Sequence, residues 1–196
     1  MDPTGRRDQI LRNAKSVFAR KGYHSAGVSD IIEKAGIARG TFYLYFEGKR
    51  EVFGAILDIL LKELEGLLQP VRLGRGEPEP LVQVRQNVSR VLRLVVDDPM
   101  IVRILFQQAS ALDARSQTTL HRFFDRVHAM IVRSLDLGIR LGILRRCDTS
   151  TVAACLFGAV REVVERLAAR RDPEEGLDAL ADEVVRFALT GIARAK

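Results

Sequence analysis

Arg39, Gly40, Thr41, Tyr43, Tyr45 and Lys49 crowd into one short stretch of the chain. Together they suit a surface that meets a polyanion carrying fixed hydrogen-bonding edges. An arginine guanidinium can donate two parallel bonds to the edge of a guanine. A glycine lets the backbone approach closely. A threonine can address a base edge, a thymine methyl or a phosphate. Tyrosine hydroxyls and a lysine ammonium can hold phosphates. The surrounding charge agrees. Residues 1–50 hold ten Lys and Arg against five Asp and Glu, whereas the whole chain of 196 residues has a net charge of only +6. Nearly all the excess positive charge therefore lies in the first quarter, the pattern of a nucleic-acid-binding head joined to a neutral body.

The elements that must position these residues are helical. Ile10, Ala14, Val17 and Phe18 form one apolar stripe, stopped at Lys21-Gly22. Val28, Ile31, Ile32 and Ala35 form a second, short one. Gly27 can cap its start, with Asp30 in the first turn, where a helix N-terminus favours negative charge. Ala35-Gly36-Ile37 breaks that helix, and a further short helix fits Arg39 to Tyr45. Two short helices joined by a three-residue turn containing glycine are a helix-turn-helix. In that motif the second helix enters the major groove by its N-terminal end, which here carries Arg39, Gly40 and Thr41.

This segment closely resembles the signature of the TetR family of bacterial transcription regulators. The residues that carry the resemblance are Gly22-Tyr23, Val28, Asp30-Ile31, the run Ala35-Gly36-Ile37-Ala38-Arg39-Gly40-Thr41-Phe42-Tyr43-Leu44-Tyr45-Phe46, and Lys49. Arg7, Ile10, Leu11, Ala14 and Phe18 fit its first helix. By resemblance, Arg39, Gly40, Thr41 and Tyr43 face the groove, Tyr45 and Lys49 clamp the DNA backbone, and Phe42 and Phe46 pack inside. Three positions depart from the family pattern. Ala26 and Ala38 stand where hydroxyl residues are common, and Arg50 replaces a frequent acid. Each lost hydroxyl removes about 1 kcal/mol if it was a cap.

The apolar periodicity is helical almost throughout, which predicts an all-α fold of about nine helices, and the resemblance divides it into two domains. Residues 1–48 would be a three-helix DNA-binding domain. Residues 49–196 would be a helical ligand-binding and dimerisation domain, with 49–69 as a connecting helix. It also implies a homodimer, joined through the last two helices, on a palindromic operator. The function it implies is repression, relieved when a small, largely apolar molecule binds the C-terminal domain.

The body itself is less informative. A longer helix fits Lys49 to Leu68, and Pro70 to Pro80 reads as a loop rich in proline and glycine. Helices follow near Leu81–Val96, Pro99–Leu112, Ser116–Leu141 and Thr149–Ala169, the fourth capped from Asp148-Thr149-Ser150. A last one opens after Arg171-Asp172-Pro173. Ala153, Ala154, Gly158 and Ala159 permit close helix approach. The final helix carries Leu177, Leu180, Val184, Phe187 and Gly191, with Val185, Leu189 and Ile192 beyond that stripe. Such an arc is broader than one core needs, and a partner helix would bury the remainder.

Phe106, Gln107, Ser110, Phe123, Val127, Met130 and Phe157 are the positions expected to line a sensor cavity; ordinary core packing competes with that reading at each of them. Ala109 and His128 are further possibilities. Around Ile104–Gln108 and Leu137–Val160 the chain is faintly similar to regulators that sense fatty acyl-coenzyme A, which makes an acyl-CoA or another hydrophobic compound the implied effector class.

Other classes find little support. No phosphate-binding glycine loop, nucleophile elbow or metalloprotease motif is present, so an enzyme is not expected. His121 and His128 with Cys155 lack the spacing of a metal site, and neither a metal nor a cofactor is expected. The two cysteines read as one loop thiol, Cys147, and one small buried residue, Cys155. The charged start and the lack of a long apolar run suggest a cytoplasmic protein with no membrane partner. An architectural DNA binder without a ligand is the alternative reading.

Overall fold

A computed structural model describes residues 3–107 and 112–192. The fold is all-α, as the periodicity predicts. Its helices are α1 (Pro3–Lys21), α2 (Val28–Ala35), α3 (Arg39–Tyr43), α4 (Lys49–Leu67), α5 (Pro80–Asp97), α6 (Pro99–Val102), α7 (Ala114–Arg140), α8 (Thr149–Ala168) and α9 (Leu177–Ile192). The single helix expected from Pro99 to Leu112 is instead the short α6, which runs into a wide π-helical turn over Arg103–Gln107. The expected last helix starts only at Leu177, because Gly176 first takes a left-handed φ of 69°.

The chain forms two compact units. One comprises residues 1–62 and 99–123, the other 63–98 and 124–196. In the first, α1 packs on α2 and on α6. Ile10, Ala14, Val17 and Phe18 of α1 are buried there with Ile31, Phe42, Phe46, Val52 and Phe53. Phe18, Tyr23 and Phe53 make a ring cluster, with centroids 5.3 Å apart for Phe18–Tyr23 and 5.1 Å for Tyr23–Phe53. Tilted pairs at this spacing contribute beyond the area they bury.

In the second unit α5 packs along α9 and also meets α8. Arg85 of α5 holds Asp182 and Asp178 of α9. Leu135, Leu144 and Ala153 form a buried cluster, surrounded by Ile131, Ile139, Val152 and Leu189. Gly138 leaves room for the Leu144 side chain. A Cβ there would lie 2.7 Å from Leu144 Cδ1 and 2.9 Å from its Cγ. Asp148 caps α8 as anticipated, accepting from the Ser150 amide at 3.0 Å and the Thr151 amide at 3.2 Å. The exposed faces carry the i,i+4 pairs Arg161–Glu165 and Glu162–Arg166. Cys155 departs from expectation: it is exposed on α8, not buried. Among the described residues no helix is long and apolar enough to cross a membrane.

Candidate DNA-binding surface

The helix-turn-helix is built from the inside out. Asp30 caps α2, its carboxylate accepting from the Gly27 amide at 2.8 Å. The bond from Lys21 at 2.7 Å is the main reason the Asp30 carboxyl is held below the usual carboxylate range, and the Gly27 amide adds to it. At the other end Gly36 takes φ 63°, ψ 39°, a left-handed conformation that L side chains resist. The Gly36 amide then bonds the Glu33 carbonyl at 3.1 Å, and the Ile37 amide bonds that of Ile32 at 3.3 Å. The chain is thus turned sharply before α3. Gln9 secures the turn from α1, donating to the Ala35 carbonyl at 2.8 Å, with Arg6 donating in turn to Gln9.

The inner side of α3 is aromatic. Phe42 is fully buried, Phe46 is 2% exposed, and their rings lie 6.0 Å apart. This is the packing role expected for both. Arg7 places its guanidinium 5.2 Å from the Phe46 ring. The outer side is open. Arg39 and Gly40 are exposed, Thr41 and Tyr45 are half-buried, and Tyr43 is 47% exposed. The Arg39 guanidinium lies 5.8 Å from the Tyr43 ring, one turn along, so the ring supports the arginine in an outward pose. Ala38 stands at the N-cap of α3 and makes no side-chain cap bond. The hydroxyl common at that position is therefore not replaced by another group.

Lys49 has a different environment from the one its residue type suggests. Its ammonium donates to the carbonyls of Tyr23 at 2.9 Å, His24 at 3.1 Å and Ala26 at 3.0 Å. It also lies 4.7 Å from the Tyr23 ring. An ammonium has three donors, and here each has a carbonyl partner. The geometry thus gives Lys49 a direct positioning role: it closes the loop between α1 and α2 onto the first turn of α4. Tyr23 continues the connection. Its hydroxyl is 2.7 Å from Ser116 Oγ and donates to Asp113 at 3.2 Å. Burial pushes the Tyr23 phenol above its ordinary pKa. The Ser116 amide, at 3.0 Å, is the main cause holding Asp113 below the usual range. Sequence reading missed this hub, because its partners stand some ninety residues apart. It also passed over Leu44, which is 82% exposed.

The expected sensor residues are divided between the units. Phe106, on the π-helical turn, is half-buried, and Phe123 is buried, both in the first unit. Val127 and Phe157 are half-buried and Met130 is buried, all in the second unit. Phe157 meets Phe124 edge-on at 5.5 Å. Gln107 ends the π-helical turn. Ser110 and Ala109 lie outside the described residues. Two surface hollows are described, of about 720 and 330 Å³. They are lined by Arg170, Arg171, Asp172 and Glu175, and by Arg20, Lys21, Asp30, Glu33 and Lys34, and neither touches an expected sensor residue. His128 places a ring nitrogen 3.1 Å from the Ser150 carbonyl.

Residues 10–56 match the family model of bacterial regulatory proteins, tetR family. Over this segment the chain is similar to that family. The match covers the helix-turn-helix and the first turns of α4. Similarity to individual regulators extends over the whole chain. The uncharacterized HTH-type transcriptional regulator YdgC of Bacillus subtilis (strain 168) is 27% identical over 192 residues, spanning 95% of this chain and 92% of that one. The fatty acid metabolism regulator protein of the same organism is 26% identical over 190 residues, covering 94% of each. The crystal structure of the transcriptional regulator FadR from Bacillus subtilis in complex with stearoyl-CoA superposes with a TM-score of 0.76. That match has 22% identity and covers 94% of this chain and 98% of that one. The tetR-type fold thus extends through the C-terminal helices, where the sequence has no signature of its own.

Proposed function

We propose that the protein is a homodimeric, ligand-responsive repressor. Residues 1–48 read an operator, and residues 49–196 bind an effector and join the subunits, with 49–69 as the connecting helix. The observation that carries this reading is the open outer side of α3, which presents Arg39 braced by Tyr43 on a basic head matched to tetR-family regulators. In this reading Arg39 addresses a guanine edge, Gly40 and Thr41 lie against the groove floor, and Tyr43 and Tyr45 approach phosphates. Lys49 holds the loop that orients the head.

Pairing through α8 and α9 is supported by their open faces. Phe187 is 67% exposed on α9, and Ala154 and Gly158 are exposed on α8. A two-fold dimer suits a palindromic operator, because symmetry then places one head at each half-site. The effector is proposed to be a long-chain acyl-CoA or a related hydrophobic compound. The support is the full-length similarity to a fatty acid metabolism regulator and the stearoyl-CoA bound by a protein of the same fold. Ligand binding releases DNA by favouring a conformation with the wrong spacing between the heads.

The test is selection of duplexes from a random pool, followed by fluorescence anisotropy on the selected sequence with and without stearoyl-CoA. A palindromic consensus released by the acyl-CoA is the expected result. Arg39→Ala should weaken that sequence by about 1–3 kcal/mol and relax the preference at one base pair of each half-site. Absence of any enriched sequence would overturn the reading.

A further inference from the structure

The phase of α3 singles out Leu44. Phe42 and Phe46 mark the inner side of the helix, and both are buried. Leu44 is two residues from each, about 200° around a helix of 3.6 residues per turn. The backbone keeps that phase: the Leu44 amide bonds the Gly40 carbonyl at 3.2 Å, and the Phe46 amide bonds that of Phe42 at 3.1 Å. Leu44 therefore points directly away from the core, and its exposure of 82% follows from this.

One turn earlier on the same side is Gly40, where an added Cβ would meet nothing within 4 Å. Gly40 and Leu44 form a narrow row with no side-chain hydrogen-bonding group. Arg39 and Tyr43 flank it on one side, Thr41 and Tyr45 on the other. If α3 lies in the major groove, this row faces the groove floor and the polar flanks face its walls. The only apolar group that base edges offer there is the C5 methyl of thymine. Water would leave the exposed leucine on such contact, which is the favourable direction.

We propose that Leu44 is a specificity-determining residue that packs on a thymine methyl at one position of each half-site. This rests on the reading of α3 as the recognition helix and adds an apolar contact to it. The glycine at position 40 has a matching role: it keeps the row low enough for the leucine one turn on to reach the floor.

The experiment is a double-mutant cycle on the duplex selected by the wild-type protein. Wild type and Leu44→Ala are each titrated against that duplex and against versions with one thymine replaced by uracil, which removes only the methyl. Leu44→Ala should keep the wild-type circular dichroism and melting temperature, since the side chain touches no core. At one thymine per half-site, uracil should weaken wild-type binding about fourfold, the worth of one buried methyl group. Leu44→Ala should show no such loss there. If a consensus is selected but uracil is tolerated everywhere, or if Leu44→Ala keeps the full uracil penalty, the Leu44 assignment is overturned while the recognition-helix reading stands. If Leu44→Ala weakens all duplexes equally, the contact is to the DNA backbone and the assignment is likewise overturned. If no consensus is selected, both readings fall together.

Discussion

Replacing Lys49 with methionine separates two roles that residue type alone cannot distinguish. Methionine keeps much of the aliphatic stem and removes the ammonium. Three carbonyls then lose a donor, those of Tyr23, His24 and Ala26. The bond to His24 is exposed, so water replaces it at little cost. The bonds to Tyr23 and Ala26 are partly buried, and each is worth about 1–1.5 kcal/mol net. The cation over the Tyr23 ring adds about 0.5–1 kcal/mol. The sum is about 2.5–4 kcal/mol. For a chain of this size that corresponds to a fall in melting temperature of roughly 5–15 °C. Scanning calorimetry or thermal circular dichroism reads it directly, and hydrogen exchange should speed up most at the amides between α1 and α2. DNA affinity should fall on every sequence, because the head is less well held. The slope of log affinity against log salt should stay the same, because no phosphate contact is lost. The contrary result is clear. An unchanged melting temperature together with a slope reduced by about one would mean that the ammonium serves a phosphate. The positioning argument would then be refuted.

Three further perturbations probe the packing beneath the surface. Tyr23→Phe removes a buried hydroxyl 2.7 Å from Ser116 Oγ and should cost about 1–3 kcal/mol, read by urea denaturation. The same hub is expected to respond to pH. Asp113 is held below the usual carboxylate range, so its contribution is full above the unfolded value near 4 and is lost as pH falls through the folded value. The stability gap between wild type and Asp113→Asn should therefore close as pH drops from about 5 toward 3; a gap that stays constant would contradict the assignment. Gly138→Ala should destabilise the second unit by about 1–3 kcal/mol, because the new methyl would meet the buried Leu144 side chain. A melting temperature equal to that of wild type would show that Leu144 can move aside.

Much of this architecture was readable because its determinants are local. The stripe Ile10, Ala14, Val17, Phe18 is an i, i+4, i+7, i+8 pattern, and all four residues are buried. Gly36 and Asp148 act within their own turns, so residue type and position were enough to anticipate them. What could not be read depends on closure of the chain. Lys49 is an unremarkable basic residue until the fold brings three carbonyls from 23–26 residues upstream around it. Cys155 falls where periodicity permits burial, yet α8 turns it outward, because the face bearing Ala153, Val164 and Leu167 is the one packed inside. The π-helical turn at Arg103–Gln107 has no spacing signature, since one widened turn leaves the apolar pattern almost unchanged. A sensor cavity is the extreme case. The phenylalanines and methionines that would line one also fill an ordinary core, so residue type carries no information about it.

The arrangement around Tyr23 gives Tyr23 and Lys49, both within the segment that matches the family model, a structural role that needs no contact with DNA. Tyr23 touches Phe18 and Phe53 through its ring, accepts the Lys49 cation on the ring face, and reaches Ser116 and Asp113 through its hydroxyl. A single side chain thus ties α1, the first turns of α4 and the start of α7 into one body. Recognition of a base edge tolerates little displacement, since hydrogen bonds weaken steeply with misalignment. A helix of five residues such as α3 has too few backbone bonds to hold its own orientation. Its pose must come from Phe42 and Phe46 beneath it and from the loop and helix starts that Lys49 and Tyr23 bind together. In the proposed reading the outward residues address the DNA, and the inward aromatics and the Tyr23 hub supply the alignment that would make that reading selective.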